Sequence, residues 1–504
     1  MLSLTEPSAL APCPTPFNLA AHVLARAADL PDKLALEILR ADGDERWTYA
    51  QLDRAVRGIA GGLLAHGLVP GDRILLRLGN SVEFPLAFLG AVAAGLLPVA
   101  CPAGLSAVEV TNMVAQLRPA LIIAAPGISL PDATIPVMSS NALMALSDTA
   151  PLPYQMGDPH RPAYLIYTSG TSGTPRAVVH AHRAIWARRM MVGGWHGICE
   201  ADRVLHAGAF NWTFTLGTGL FDPWAAGATA LVPEAGGVPG DLPALLRRAQ
   251  ITVFAAAPAV YRQLLKHYTA LPLPKLRLGL AAGEKLPDVT RKTWETATGT
   301  PIHEAFGLSE CSTFLSSSPT KPAPQGATGY AQPGRRIAVL GEGGQPVARG
   351  ESGSLAIHRS DPGLFLGYFA AAEETKQRFF GDWFQTGDTV RMADDGAIHY
   401  LGRDDDMMNA GGFRVSPLEV EAALGSCPEV GDIAVVELRR DAEVSFIAAI
   451  YTGPVTPAAL AAHAATCLAR YKQPREFLRA DQLPLNVNGK INRRALREKW
   501  ETNN

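Results

Sequence analysis

Five serine and threonine hydroxyls, two glycines and a closing arginine crowd into the stretch YTSGTSGTPR, Tyr167 to Arg176, just after the apolar run AYLIY. A strand here meets a bend too rich in glycine to continue a sheet. Glycines let successive backbone N–H groups turn inward as an anion nest, and the hydroxyls of Thr168, Ser169, Thr171, Ser172 and Thr174 add donors toward phosphate oxygens. The chemistry implied is a phosphate grip. It is not the G-x-x-x-x-G-K-[ST] loop, because no Gly-Lys-Ser/Thr closes it. Taken alone, the stretch suits a flexible Ser/Gly loop equally well.

Four further stretches follow in order: EAFGLSE (Glu304 to Glu310), WFQTGD (Trp383 to Asp388), YLGRDDDMMNAGGFR (Tyr400 to Arg414) and PLNVNGKINR (Pro484 to Arg493). In this order and spacing, the five motifs together resemble the adenylate-forming (AMP-binding) superfamily of acyl-CoA synthetases, nonribosomal adenylation domains and firefly-type luciferases. The resemblance implies an α/β fold. A large N-terminal body, 1–402, would hold two α/β subdomains and a β-barrel-like part, and a small mobile α+β domain, 403–504, would turn on a hinge at Asp405. It also implies an ATP-dependent acid:CoA ligase of the acyl-CoA synthetase kind, using ATP, Mg²⁺ and coenzyme A. A stand-alone enzyme loading an acyl-carrier protein is the alternative, since both acceptors present the same phosphopantetheine thiol.

Such an enzyme faces a definite problem: a carboxylate repels nucleophiles and oxide is a poor leaving group. Attack of the carboxylate on the α-phosphorus of ATP gives an acyl-adenylate and pyrophosphate, and the charge building on phosphoryl oxygens needs positioned cations and donors. The resemblance assigns them. Thr168, Ser169, Gly170, Thr171, Ser172, Gly173 and Thr174 would hold the β- and γ-phosphates, with Arg176 as the loop cation. Ser309 would take the α-phosphate and Glu310 the Mg²⁺. Asp388 would accept from the ribose hydroxyls with Arg403 beside it, and Phe306, flanked by Glu304 and Ala305, would face adenine. Gly283, Glu284 and Lys285 would form the other adenine wall, and Arg414 would touch phosphate. Lys490 would be the adenylation lysine, a point charge reaching both the carboxylate and the α-phosphate.

The chain departs from the family pattern in places. Arg176 stands where a lysine is usual, Ala177 where a glycine follows it, and Ser172 and Ser309 where threonines are usual. Arginine keeps the charge but brings a planar fork. For the second half-reaction, the small domain would swing about Asp405, and Gly411, Gly412 and Phe413 would flank the pantetheine tunnel, where a missing Cβ permits close passage. Phe210, Asn211, Trp212, Gly307 and Leu308 are the expected acyl pocket. Acetate enzymes of the family place a tryptophan where Gly307 stands, and amino-acid adenylating domains place an aspartate where Asn211 stands. An aromatic or medium-chain monocarboxylate is therefore expected. His206 and His303 flank the pocket and receive no catalytic role.

The elements that must position these residues read as alternating helices and strands. At 504 residues, with 47% hydrophobic and 18% charged, the chain has ample apolar surface for more than one core. Lys and Arg total 45 against 47 for Asp and Glu, so nothing electrostatic points to nucleic acid or an anionic membrane. Small-molecule partners and a monomer or homodimer are expected. The six cysteines show no zinc spacing and suit a reduced, cytoplasmic protein. Thr48 predicts the N-cap of a helix ended by Gly67, with DRILLRL as the next strand. The uncharged run Phe84 to Gly104 imitates a membrane span, but its prolines and glycines predict a buried helix ending near Gly95 and then a buried strand. Beyond residue 320, dense Pro and Gly predict short antiparallel strands, and beyond Arg403 a compact α+β unit includes a helix capped by Thr456.

Overall fold

The computed structural model describes residues 1–6, 11–40, 43–168, 176–234, 242–404, 406–410, 413–439, 445–485 and 491–501. Two large sheets carry the body. The first orders seven strands as Gly367–Tyr368, Arg176–Ala181, Pro162–Thr168, Leu97–Ala100, Arg73–Arg77, Leu121–Ala124 and Val137–Ser139. It is parallel from Pro162–Thr168 onward and antiparallel where that strand meets Arg176–Ala181. The second has nine strands, and its parallel centre ends at Ile302–Leu308, against which Ser312–Ser316 folds back. A five-stranded antiparallel sheet, built on Ser352–His358, Trp383–Met392 and Ile398–Arg403, supplies the third layer.

Local chemistry explains the framework. Helix Tyr49–Ala65 starts at Thr48, whose hydroxyl accepts from the Gln51 N–H while Gln51 returns a bond to the Thr48 N–H, satisfying two otherwise orphaned donors. In helix Glu83–Ala93, every residue after Glu83 is buried. Gly95, at φ +75°, turns the chain into strand Leu97–Ala100, as the punctuation of that apolar run predicts. Among the described residues no helix is long and apolar enough to cross a membrane.

Past Arg403, strands Ile433–Arg439, Ser445–Tyr451 and Glu476–Arg479 form a small sheet flanked by helices Pro417–Leu424, Pro457–Cys467 and Arg493–Glu501. Thr456 caps its helix as expected, accepting from the Ala459 N–H. Arg493 bonds both oxygens of Glu421, at 2.7 and 2.8 Å, and Arg497 reaches Asp406 at 2.8 Å, so the last helix is pinned beside the start of this unit.

Four buried histidines make the body acid-sensitive. Burial holds His180 and His303 down at about 4 and His182 and His206 at about 3, so all four are neutral when folded. Unfolding returns each to the ordinary value near 6.5, so the unfolded chain binds more protons once the pH drops below that value. Their contribution is complete above pH 6.5 and is lost as the pH falls toward 4, at about 2 kcal/mol apiece by pH 5. Thermal unfolding followed from pH 7.5 to 5 should therefore show a midpoint that is flat above pH 6.5 and drops steeply below it.

Candidate functional site

The corner expected to take the ribose is made by two neighbouring strands. Antiparallel pairing sets Asp388 opposite Arg403, and Asp388 is 2% exposed. Its Oδ1 accepts from Arg403 Nη1 and from the Tyr400 hydroxyl, both at 3.2 Å, while Oδ2 takes no bond from a described residue. Burial raises the Asp388 carboxyl above the usual aspartate value, with Arg403, Thr386 and Tyr400 opposing the rise. Arg403 Nη1 is steadied by the Thr386 carbonyl at 3.1 Å. The Tyr400 ring lies 5.1 Å from that of Phe306, tilted by 37°, so a flat aromatic face adjoins the carboxylate. Tyr400 received no role from the sequence, although it opens one of the quoted motifs; its link to Asp388 crosses between strands and has no local signature.

On the adjoining wall the charges are internally paired. Glu304, 2% exposed, accepts from Lys285 Nζ at 3.2 Å, Arg291 Nη2 at 3.0 Å and the Leu286 N–H at 3.1 Å. Burial still raises its carboxyl above the ordinary value, against the pull of the two cations. Glu284 accepts from the Ala259 N–H at 3.0 Å. The side chains of Glu304 and Lys285 therefore tie the 283–286 loop to strand Ile302–Leu308, and Gly283, at φ +102°, makes the turn between them.

Two residues expected on the phosphate side, Arg176 and Glu310, gather around a tyrosine that no motif marks. Tyr368 donates to Glu310 Oε1 at 2.6 Å, and the Arg176 guanidinium carbon sits 5.5 Å from the centre of the same ring. Arg176 also pairs with Glu374. Strand pairing of Tyr368 with Val178 brings these groups together. Burial and the neighbouring Glu310 raise the Tyr368 phenol, keeping it a donor. The carbonyl of Ser309 accepts from His180 Nε2 at 2.7 Å. Thr168 ends strand Pro162–Thr168, and Phe413 and Arg414 lie on strand Phe413–Val415. Ser169, Gly170, Thr171, Ser172, Gly173, Thr174, Asp405, Gly411, Gly412 and Lys490 lie outside the described residues.

The expected acyl residues divide. Phe210 is 1% exposed with its ring 5.5 Å from Phe84, so it packs the core instead of lining a pocket. Its neighbours carry the aromatic surface: Trp212, half-buried, meets Phe214 edge-on at 5.3 Å, and Phe214 meets His206 at 4.3 Å. Asn211 is also half-buried. Leu308 packs against the apolar cluster of the five-stranded sheet. Ala305 is buried on the same strand as Phe306.

Gly307 has a tighter reason than pocket size. A Cβ there would lie 2.2 Å from the Ser312 carbonyl oxygen, across a bulged hairpin in which Ser312 itself adopts φ +59°. The glycine is required by close backbone approach, so by itself it does not report the length of the acid. Gly307→Ala should cost about 1 to 3 kcal/mol by overpacking, read as a lowered midpoint in denaturant unfolding. An unchanged midpoint would mean that the hairpin yields freely.

Comparison with known proteins bears on the family and the fold. The model of the AMP-binding enzyme family matches residues 23–369, and that of the AMP-binding enzyme C-terminal domain matches residues 419–490. The chain is 31% identical over 487 residues to a benzoate–CoA ligase of Thauera aromatica, covering 90% of each chain. It is 30% identical to a mitochondrial acyl-coenzyme A synthetase of Rattus norvegicus, covering 97% of this chain and 92% of that one. The crystal structure of an anthranilate CoA ligase in complex with anthranoyl-AMP superimposes with a TM-score of 0.89 at 25% identity, covering 97% of this chain and 98% of that one. A buried carboxylate beside an aromatic face, and a carboxylate and arginine sharing one tyrosine, thus stand in a chain that belongs to the AMP-binding enzyme family.

Proposed function

We propose that the protein is an ATP-dependent acid:CoA ligase. It joins a carboxylic acid to AMP with release of pyrophosphate, then passes the acyl group to the thiol of coenzyme A. The observation that carries this reading is the Asp388 corner, where Oδ2 has no donor among the described residues and an aromatic face lies alongside. A buried carboxylate with an uncommitted oxygen suits the vicinal hydroxyls of a ribose. The benzoate–CoA ligase and the acyl-coenzyme A synthetases among its relatives, and the aromatic surface of Trp212 and Phe214, support an aromatic or medium-chain monocarboxylic acid.

In this reading ATP lies with adenine on Phe306 and its phosphates toward residues 168–176. Arg176 leaves Glu374 to meet phosphate oxygens, a bidentate contact that its planar fork favours. The Ser309 hydroxyl donates to the α-phosphate, and Lys490 neutralises the approach of one anion to another. Glu310 would hold Mg²⁺, which would supply charge neutralisation on the phosphates. A single carboxylate fits that ion, because Mg²⁺ keeps several waters and takes the rest of its shell from substrate phosphates. Tyr368 orients that carboxylate by its hydrogen bond. The division at 402/403 with a hinge at Asp405 belongs to the same proposal, as do Gly411, Gly412 and Phe413 at the pantetheine tunnel and Arg414 on phosphate. All six cysteines are free, which supports a reducing, cytoplasmic setting.

The test is product analysis. Purified protein incubated with ATP, Mg²⁺, coenzyme A and a panel of benzoates and C4 to C12 fatty acids should release AMP and pyrophosphate and form an acyl-CoA. Parallel arms with a holo-carrier protein report the acceptor. Release of ADP and orthophosphate would contradict the proposal.

A further inference from the structure

The turn between strands Ile302–Leu308 and Ser312–Ser316 carries Ser309 and Glu310, and distant parts of the chain hold it. Glu310 has two holds of its own: its carbonyl accepts from the Phe365 N–H at 2.7 Å, and its carboxylate accepts from the Tyr368 hydroxyl at 2.6 Å. At the far end of the turn, Ser312 Oγ accepts from Arg188 Nη1 at 2.5 Å. Arg188 is in turn clamped by Asp222, with Nε on Oδ1 at 2.7 Å and Nη2 on Oδ2 at 2.6 Å. Ser309 has one polar contact among the described residues. Its carbonyl accepts from His180 Nε2 at 2.7 Å, and no described residue bonds its hydroxyl.

His180 is itself firmly placed. It is 2% exposed, stands opposite Tyr164 in the sheet, and stacks its ring on that of Tyr164 at 4.9 Å and 17°. Burial keeps the ring neutral, holding it at about 4. A carbonyl only accepts, so the one ring proton sits on Nε2 and faces Ser309. Strand Arg176–Ala181 turns alternate side chains to the same face, so His180 shares its face with Arg176. The same strand thus carries the expected phosphate cation, the residue Val178 that pairs with Tyr368, and the donor to Ser309. Because a peptide group is planar, fixing the Ser309 carbonyl oxygen limits rotation about the Ser309 Cα–C bond, and with it the direction in which the hydroxyl points.

We infer that His180 is a positioning residue for adenylation: by holding the Ser309 carbonyl it aims the Ser309 hydroxyl at the α-phosphate, without touching substrate itself. The inference rests on the ligase reading above and adds to it a residue to which the sequence gave no role. Glu310 keeps its place through Phe365 and Tyr368, so Ser309 is the group that depends on His180. The aim matters most where charge builds. Oxygens on the α-phosphorus gain negative charge as the carboxylate attacks, so a donor fixed toward them stabilises the transition state more than it stabilises bound ATP. Loss of that aim therefore lowers the maximal rate of adenylation and leaves half-saturating ATP where it was.

The experiment is single-turnover pyrophosphate release against ATP concentration, with whichever acid of the panel reacts fastest. His180→Gln and His180→Asn are matched amides: both lose the ring stack on Tyr164, but only glutamine carries its N–H donor far enough to replace Nε2. His180→Asn should lower the maximal rate roughly 10²-fold with half-saturating ATP nearly unchanged, and His180→Gln should recover at least about tenfold of that loss. In a Ser309→Ala background, His180→Asn should cost little further, because the group it aims is already gone. Denaturant unfolding checks that each variant is folded; His180→Phe, which keeps a flat ring on Tyr164 and has no donor, replaces His180→Asn if that variant does not fold. A loss shared equally by the two amides, a loss undiminished in the Ser309→Ala background, an effect confined to half-saturating ATP, or no loss at all would overturn the inference. Failure of the wild-type protein to release pyrophosphate with any acid of the panel would instead overturn the ligase reading, and this inference would fall with it.

Discussion

Lys490→Ala should reduce acyl-adenylate formation by on the order of 10³-fold while leaving thioester formation from supplied acyl-AMP within a few-fold of wild type. The expectation follows from charge. Adenylation brings a carboxylate toward a phosphate ester, and a positioned cation between them stabilises the transition state far more than the separated reactants. Thiol attack on acyl-AMP builds no second anion at the phosphorus, so the same cation is not needed there. Lys490 is assigned by its place in NGKINR and lies outside the described residues. The two half-reactions are measured separately, by pyrophosphate release without coenzyme A and by AMP release from synthetic acyl-AMP with it. Equal loss in both would show that the lysine serves no particular step.

Asp388→Asn should lower kcat/KM for ATP by roughly 10²-fold or more, since two hydrogen bonds to a charged acceptor are each worth about 1.5 to 3 kcal/mol. Deoxynucleotides isolate the cause. Wild type should discriminate against 2′-deoxy-ATP and 3′-deoxy-ATP, whereas Asp388→Asn should treat them nearly as it treats ATP. Undiminished discrimination in the variant would remove Asp388 from the ribose site. The pH dependence adds a second check. Burial raises the Asp388 carboxyl, so the loss of ATP capture on acidification should begin above the ordinary aspartate range. Tyr400 donates to this carboxylate and opposes the rise, so Tyr400→Phe should move the acid limb to still higher pH.

Much of the framework was legible because its signals are local. Thr48 with Gln51, the glycine at 95 and the unbroken apolar character of 84–93 each specify an element boundary within a few residues. Asp388, Phe306 and Glu310 are singled out by motif, and the structure sets each among the partners described here. The residues whose surroundings the motifs do not show depend on distant parts of the chain. Phe210 reads as pocket aromatic by its neighbours but meets Phe84, which is 126 positions away by subtraction of their numbers, in the core. Tyr368 reaches Glu310 only through a two-residue strand pairing. Arg188 and Asp222 find each other across the wide π-helical turns of Thr215–Phe221, for which periodicity has no template. Gly307 shows the converse, a residue whose presence was noted and whose physical reason, the approach of Ser312, only the hairpin reveals.

The oxygen path tests the central claim most directly. An acid labelled with ¹⁸O in both carboxylate oxygens, turned over with ATP and coenzyme A, should deliver one ¹⁸O into the phosphate of AMP, because that oxygen attacks the α-phosphorus and stays on it when sulfur displaces the adenylate. Mass spectrometry of the nucleotide product reads the outcome. AMP without label, or label in orthophosphate released beside ADP, would contradict the account.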